Sequence, residues 1–134
     1  MKIIDYPFTQ LGPGQIPRPI LPTVFLNPHT KKKIKLFALI DTGADECALL
    51  ASYALMLGHK LESGQEKQIS TGNGFTLAYS HTMCIHVKDY EINNVLFDFM
   101  PNLNIPLLGV KNFLSDFTLT VDYPNQQFSL LSNN

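Results

Sequence analysis

The sequence predicts a mainly all-β fold with one or two short helices, built around one core. Three observations carry this. Short β-prone runs alternate with clusters of turn residues along most of the chain. Six of the nine prolines fall within the first 28 residues, at 7, 13, 17, 19, 22 and 28, which excludes a long helix or a central strand there. The length of 134 residues is that of one ordinary domain, so residues 1–134 are expected to form a single unit with a Pro-rich, extended lead-in over 1–19.

Ile20 to Leu26 is a β-prone run, Asn27-Pro28-His29-Thr30-Lys31 has turn chemistry, and Lys33 to Ile40 resumes, so a hairpin is predicted. Ile34, Leu36, Phe37, Ala38, Leu39 and Ile40 leave almost no polar face, and the second strand is expected to be buried on both sides. Ser52 is placed to cap a short helix over Tyr53 to Leu57, with Gly58 supplying the left-handed residue that ends it. A β-meander follows: Lys67 to Ser70, a tip at Thr71-Gly72-Asn73-Gly74, Phe75 to His86, a turn near Lys88-Asp89, and Glu91 to Met100. Val110, Phe113 and Leu114 have helical spacing within Val110 to Asp116. Alternation at Phe117, Leu119 and Val121, a turn at Tyr123-Pro124-Asn125, and Phe128 with Leu130 predict a closing hairpin.

Composition narrows the function. The net charge of −1 provides no field for nucleic acid or anionic lipid, and without tryptophan or a basic aromatic face a nucleic-acid-binding β-barrel is disfavoured. Lys31, Lys32 and Lys33 read as a solvated loop. No apolar stretch approaches the ~20 residues that span a bilayer, and the first residues lack the apolar core of a secretory signal, so a cytoplasmic protein without membrane contact is expected. Cys47 and Cys84 read as buried thiols outside any zinc-type spacing. His29, His59, His81 and His86 are scattered, the last two on opposite faces of a strand, so neither a metal site nor a cofactor is expected.

The informative segment is Ala38-Leu39-Ile40-Asp41-Thr42-Gly43-Ala44-Asp45, which delivers a carboxylate at the end of a strongly apolar strand. Burying an acid there is costly without a partner. The Thr42 hydroxyl can lock a neighbouring backbone, and Gly43 allows a turn while another peptide backbone comes close. Taken alone, the same three residues also make an ordinary structural turn.

Leu39-Ile40-Asp41-Thr42-Gly43-Ala44 resembles the signature of the retropepsin-like aspartic proteases. Pro106-Leu107-Leu108-Gly109 is similar to the family's apolar-apolar-Gly segment beneath the catalytic loop, and Ser70 to Phe75 lies between the two, where the family has its flap. The resemblance covers roughly residues 20 to 131, and the C-terminal hairpin looks more like the non-viral branches. It implies a closed β-barrel with a flap hairpin and one or two short helices. In viral members an Arg follows the last glycine, whereas here Val110 and Lys111 follow Gly109, which leaves Arg18 or Lys111 as candidate cations for Asp45.

Peptide hydrolysis of this kind uses two facing carboxylates that share a proton and hold a water, the aspartic-protease dyad. The chain has one Asp-Thr-Gly, so the resemblance implies a homodimer with an Asp41 from each subunit and a peptide or protein substrate. It implies catalytic roles for Asp41, Thr42 and Gly43. Substrate contacts are implied for Leu39, Ala44, Asp45, Gly72, Asn73, Gly74, Ile105 and Leu107, of which Leu39, Ile105 and Leu107 are equally well placed as plain core. The competing reading is a non-catalytic peptide-binding or dimerisation module that retains the fold.

Overall fold

The computed structural model describes residues 2–132; Met1 and residues 133 and 134, the ends of the expected 1–134 unit, lie outside these. Ten strands occur in chain order: β1 (Lys2–Pro7), β2 (Ile20–Leu26), β3 (Lys33–Ile40), β4 (Ala48–Leu50), β5 (Gln65–Thr71), β6 (Gly74–Val87), β7 (Tyr90–Met100), β8 (Leu107–Leu108), β9 (Phe117–Asp122) and β10 (Gln127–Ser132). One four-residue helix, α1 (Tyr53–Met56), and two single 3₁₀ turns at Leu61–Ser63 and Leu114–Asp116 complete the described elements.

Seven strands form one sheet in the order β2-β3-β8-β4-β7-β6-β5, and an additional β2–β6 pairing bends it into a ring of six. Strand β5 lies outside this ring as the arm of a hairpin with β6. The predicted meander is present as β5, β6 and β7, antiparallel neighbours in that order. The ring encloses Phe25, Ala38, Leu49, Met83, Phe97 and Leu108, all inaccessible to solvent. Hydrophobic burial of these side chains supplies the main stabilisation of the ring.

Four local expectations need correction. The lead-in is not merely extended: Lys2–Pro7 pairs antiparallel with β10, giving a second sheet in the order β1-β10-β9. Pro7 ends that strand, and β1 is an edge, which is where proline-flanked strands belong. Strand β3 is not buried on both sides, because Lys33, Lys35 and Phe37 are exposed and burial begins at Ala38. Ser52 occupies the helix start without a side-chain cap, since its backbone is already helical (φ −62, ψ −21), although Gly58 does take the predicted left-handed conformation at φ +81. Val110 to Asp116 forms turns and one 3₁₀ turn instead of a helix. Asn112 sits at φ +71, which interrupts any right-handed helix there.

The first hairpin is pinned from its turn. Asn27, buried, accepts from the His29 N–H at 2.9 Å and donates to the Leu57 carbonyl at 2.8 Å, fixing the turn against the end of α1. Pro22 is tolerated within β2 because β6 pairs only with residues 24–26, leaving the proline in the stretch bonded to β3 alone. Both cysteines are free and buried, and burial pushes the Cys47 thiol up to about 11. Among the described residues no helix is long and apolar enough to cross a membrane.

Candidate active site

Asp41 is delivered by the last residues of β3. Leu39 and Ile40 pair in parallel with Leu107 and Leu108 of β8, and the Asp41 N–H donates to the Leu108 carbonyl at 3.1 Å. These bonds bind the acid's backbone to the Pro106–Gly109 segment, so the two motifs singled out in the sequence form one structural unit. The loop then turns: the Gly43 N–H donates to Asp41 Oδ1 at 3.0 Å and the Ala44 N–H to the Asp41 carbonyl at 3.2 Å. The carboxylate is thus oriented by its own loop, half-buried, with Thr42 and Gly43 exposed beside it.

Gly109 allows the close approach beneath this loop. A Cβ at that position would lie 2.4 Å from the Glu46 carbonyl oxygen and 2.8 Å from that of Ala44, both backbone atoms. The contact is held by two further bonds, from the Val110 N–H to the Ala44 carbonyl at 2.9 Å and from the Lys111 N–H to the Asp45 carbonyl at 2.8 Å. Lys111 therefore meets Asp45 through its backbone, while its ammonium lies 3.7 Å from Glu46 Oε1. Arg18 forms a backbone bridge with Thr9 in the N-terminal arm.

A cavity of about 550 Å³ opens beside Asp41, with the 43–46 loop on one side and residues 67–70 of β5 on the other. Of the residues expected to hold substrate, Ala44, Asp45 and Leu107 line it together with Asp41 and Gly43. Leu39 and Ile105, both half-buried, are not among its lining residues, nor are Gly72, Asn73 and Gly74, which are exposed at the tip of the β5–β6 hairpin. Gly74 pairs with Thr71 at φ +106, a conformation that requires glycine.

Three charged cavity residues were not anticipated: Glu46, Lys67 and Asp98. The Lys67 ammonium bonds Glu46 Oε2 and lies 3.0 Å from Asp98 Oδ1, and Ser80 Oγ lies 3.3 Å from the same Asp98 oxygen. Burial pushes the Asp98 carboxyl up to about 6, reinforced by its hydrogen bond with Glu46 and opposed by Lys67. Burial also works against ionised Glu46, but its bonds to Lys67 and Asp98 outweigh this and hold its pKa below the ordinary value. The available signal was Asp98 itself, an acid within the apolar run Val95-Leu96-Phe97-Asp98-Phe99-Met100. A second unanticipated contact lies away from the cavity, where His59 and His81 stack with ring centroids 4.4 Å apart. Burial, with help from His81, holds His59 below its ordinary pKa.

No curated protein matches the chain. Among solved structures, a retropepsin-like aspartic protease from Rickettsia conorii superposes with a TM-score of 0.69 at 24% identity, over 95% of this chain and 97% of that one. The EIAV protease, in complex with the inhibitor HBY-793, superposes with a TM-score of 0.53 at 20% identity, over 75% of this chain and 88% of that one. Both share the fold. A family profile described as "gag-polyprotein putative aspartyl protease" matches residues 30–116, a span that contains Asp41, the β5–β6 hairpin and Gly109. By that match the chain belongs to the gag-polyprotein aspartyl protease family, and its fold is retropepsin-like.

Proposed function

We propose that the protein is an aspartic endopeptidase, active as a homodimer in which two Asp41 carboxylates, one from each subunit, activate a water against a peptide bond. The observation that carries this reading is the placement of Asp41. It is half-buried, oriented by the Gly43 N–H, tied to Leu108 beneath it and open to a cavity large enough for a side chain.

One carboxylate cannot be base and acid at once, and a single chain supplies one Asp-Thr-Gly. In the dimer the ionised Asp41 takes a proton from the water while the protonated Asp41 of the other subunit polarises the scissile carbonyl. The roles then exchange as the leaving amine is protonated. Thr42 and Gly43 set the geometry of the paired loops. The β5–β6 hairpin acts as the flap, offering backbone groups near Gly72, Asn73 and Gly74 to an extended peptide by strand addition. Ala44, Asp45 and Leu107 line the place of a side chain next to the scissile bond. Leu39, paired with Leu107 between β3 and β8, backs that wall.

The test is Asp41→Asn, which removes proton transfer and charge with almost no change of volume. Peptide cleavage by the purified variant should vanish while circular dichroism and dimer mass stay those of the parent. Retained cleavage would remove Asp41 from the mechanism.

A further inference from the structure

We propose that Lys67 is a positioning residue for peptide binding: by clasping Glu46 and Asp98 across the groove, it fixes the β5–β6 hairpin above Asp41. The proposal deepens the protease reading and rests on it for its kinetic consequence, but its structural content can be measured without catalysis.

The geometry comes from three separate parts of the fold. Lys67 projects from β5, which among the described residues pairs with β6 alone and lies outside the ring. A hairpin attached along one edge only is free to swing about that edge unless a side chain ties its free arm down. Glu46 stands on the loop that begins with Asp41, and that loop is bonded to Val110 and Lys111. Asp98 belongs to β7, between β4 and β6, with its backbone N–H donated to the Cys47 carbonyl at 3.0 Å. Lys67 therefore joins the outer arm of the hairpin to two points of the ring and its loops, one of them on the Asp41 loop itself.

The clasp is shielded enough to hold. Side-chain exposure is 31% for Lys67, 24% for Glu46 and 6% for Asp98, so its charge-assisted bonds are screened less than surface pairs are. Lys111 approaches Glu46 from outside but is 70% exposed, so it cannot take over the tie to β5. Glu46 and Lys67 also line a second cavity of about 440 Å³ that includes Ser80, Asn94 and Lys111. Two members of the clasp, Glu46 and Lys67, thus line both this space and the cavity beside Asp41.

The test uses the full chain with Lys67→Met, which keeps the stem and removes the charge, and Lys67→Arg, which restores it. Hydrogen exchange of the amides of residues 66–74 should quicken by about tenfold in Lys67→Met and stay within about threefold in Lys67→Arg, with β2 and β3 unchanged in both. On a cleavable peptide, KM should rise by about tenfold in Lys67→Met with kcat changed by less than about threefold, and Lys67→Arg should restore KM. Unchanged exchange in Lys67→Met overturns the clasp whatever the kinetics do. Faster exchange with unchanged KM overturns the positioning role. If the parent chain cleaves no peptide, the protease reading fails separately, and the affinity of a non-cleavable tetrahedral peptide mimic replaces KM. Weaker binding by Lys67→Met then supports the proposal, while equal binding, or none by the parent, overturns it.

Discussion

Replacing Asp98 by Asn removes a buried carboxyl whose ionisation the fold opposes. Burial, together with the bond to Glu46, lifts this group from its ordinary 3.8 to about 6 against the pull of Lys67. The folded chain therefore holds the proton more tightly than the unfolded chain, and the stability contributed by protonated Asp98 is complete below pH 3.8 and lost as pH rises through about 6. The shift corresponds to about 3 kcal/mol at most, and because Asp98 shares its interactions with Glu46 and Lys67 we take about 1–2 kcal/mol for the single substitution. For a chain of this size that is roughly 4–8 °C in melting temperature. The assay is thermal melting of Asp98→Asn and the parent at one protein concentration from pH 4 to 8. The variant should gain on the parent as pH rises from about 4 to 6, with little further change above about pH 7. A difference that is independent of pH, or that moves against the variant as pH rises, would show that Lys67 outweighs burial and would refute the reasoning.

Three further outcomes are expected. Sedimentation should give about 30 kDa, twice the 15.0 kDa chain mass; a monomer at micromolar concentration that still cleaves peptides would end the shared-dyad mechanism. The pH dependence of kcat/KM on one peptide should be bell-shaped with a mildly acidic optimum, because activity needs one proton between the two Asp41 side chains; a rate still rising above about pH 8 would point to other chemistry. Gly109→Ala should lower stability by about 1–3 kcal/mol or more in denaturant unfolding, since its Cβ meets the backbone oxygens of Glu46 and Ala44. A Gly109→Ala variant as stable as the parent would contradict the close packing beneath the Asp41–Asp45 loop.

The Asp41–Asp45 loop was legible because its chemistry is local: a carboxylate at the end of an apolar strand, followed by residues that permit a turn, remains visible without knowledge of the fold. The strands of the meander were equally readable from the turn residues between them. β1 was not, because its reason lies at the other end of the chain, where Tyr6 meets Phe128, and nothing within residues 1–19 reveals that pairing. The burial expected for β3 failed for a related reason: an apolar side chain such as Phe37, 52% exposed, is buried only if a neighbouring element covers it. Val110, Phe113 and Leu114 have helical spacing, yet the backbone bonds from Leu114 to Gly109 and from Ser115 to Val110 follow a wider turn around Asn112. At the site, Asp41 through Asp45 could be read in order along the chain. The Lys67 clasp could not, since its three members are distant in sequence and are brought together only by the ring and the hairpin that extends from it.

The pairing of β1 with β10 of the same chain has a consequence for when the proposed dimer would be active. If the proposed homodimer keeps this pairing, each subunit brings its own terminal strands to a finished sheet and neither lends β1 or β10 to the other. Assembly of the proposed active centre then follows second-order kinetics, separate from folding. At dilutions below the dissociation constant the concentration of competent dimer varies with the square of total chain. A tenfold increase in synthesis would raise proteolysis about a hundredfold in that regime, so abundance alone would work as a threshold.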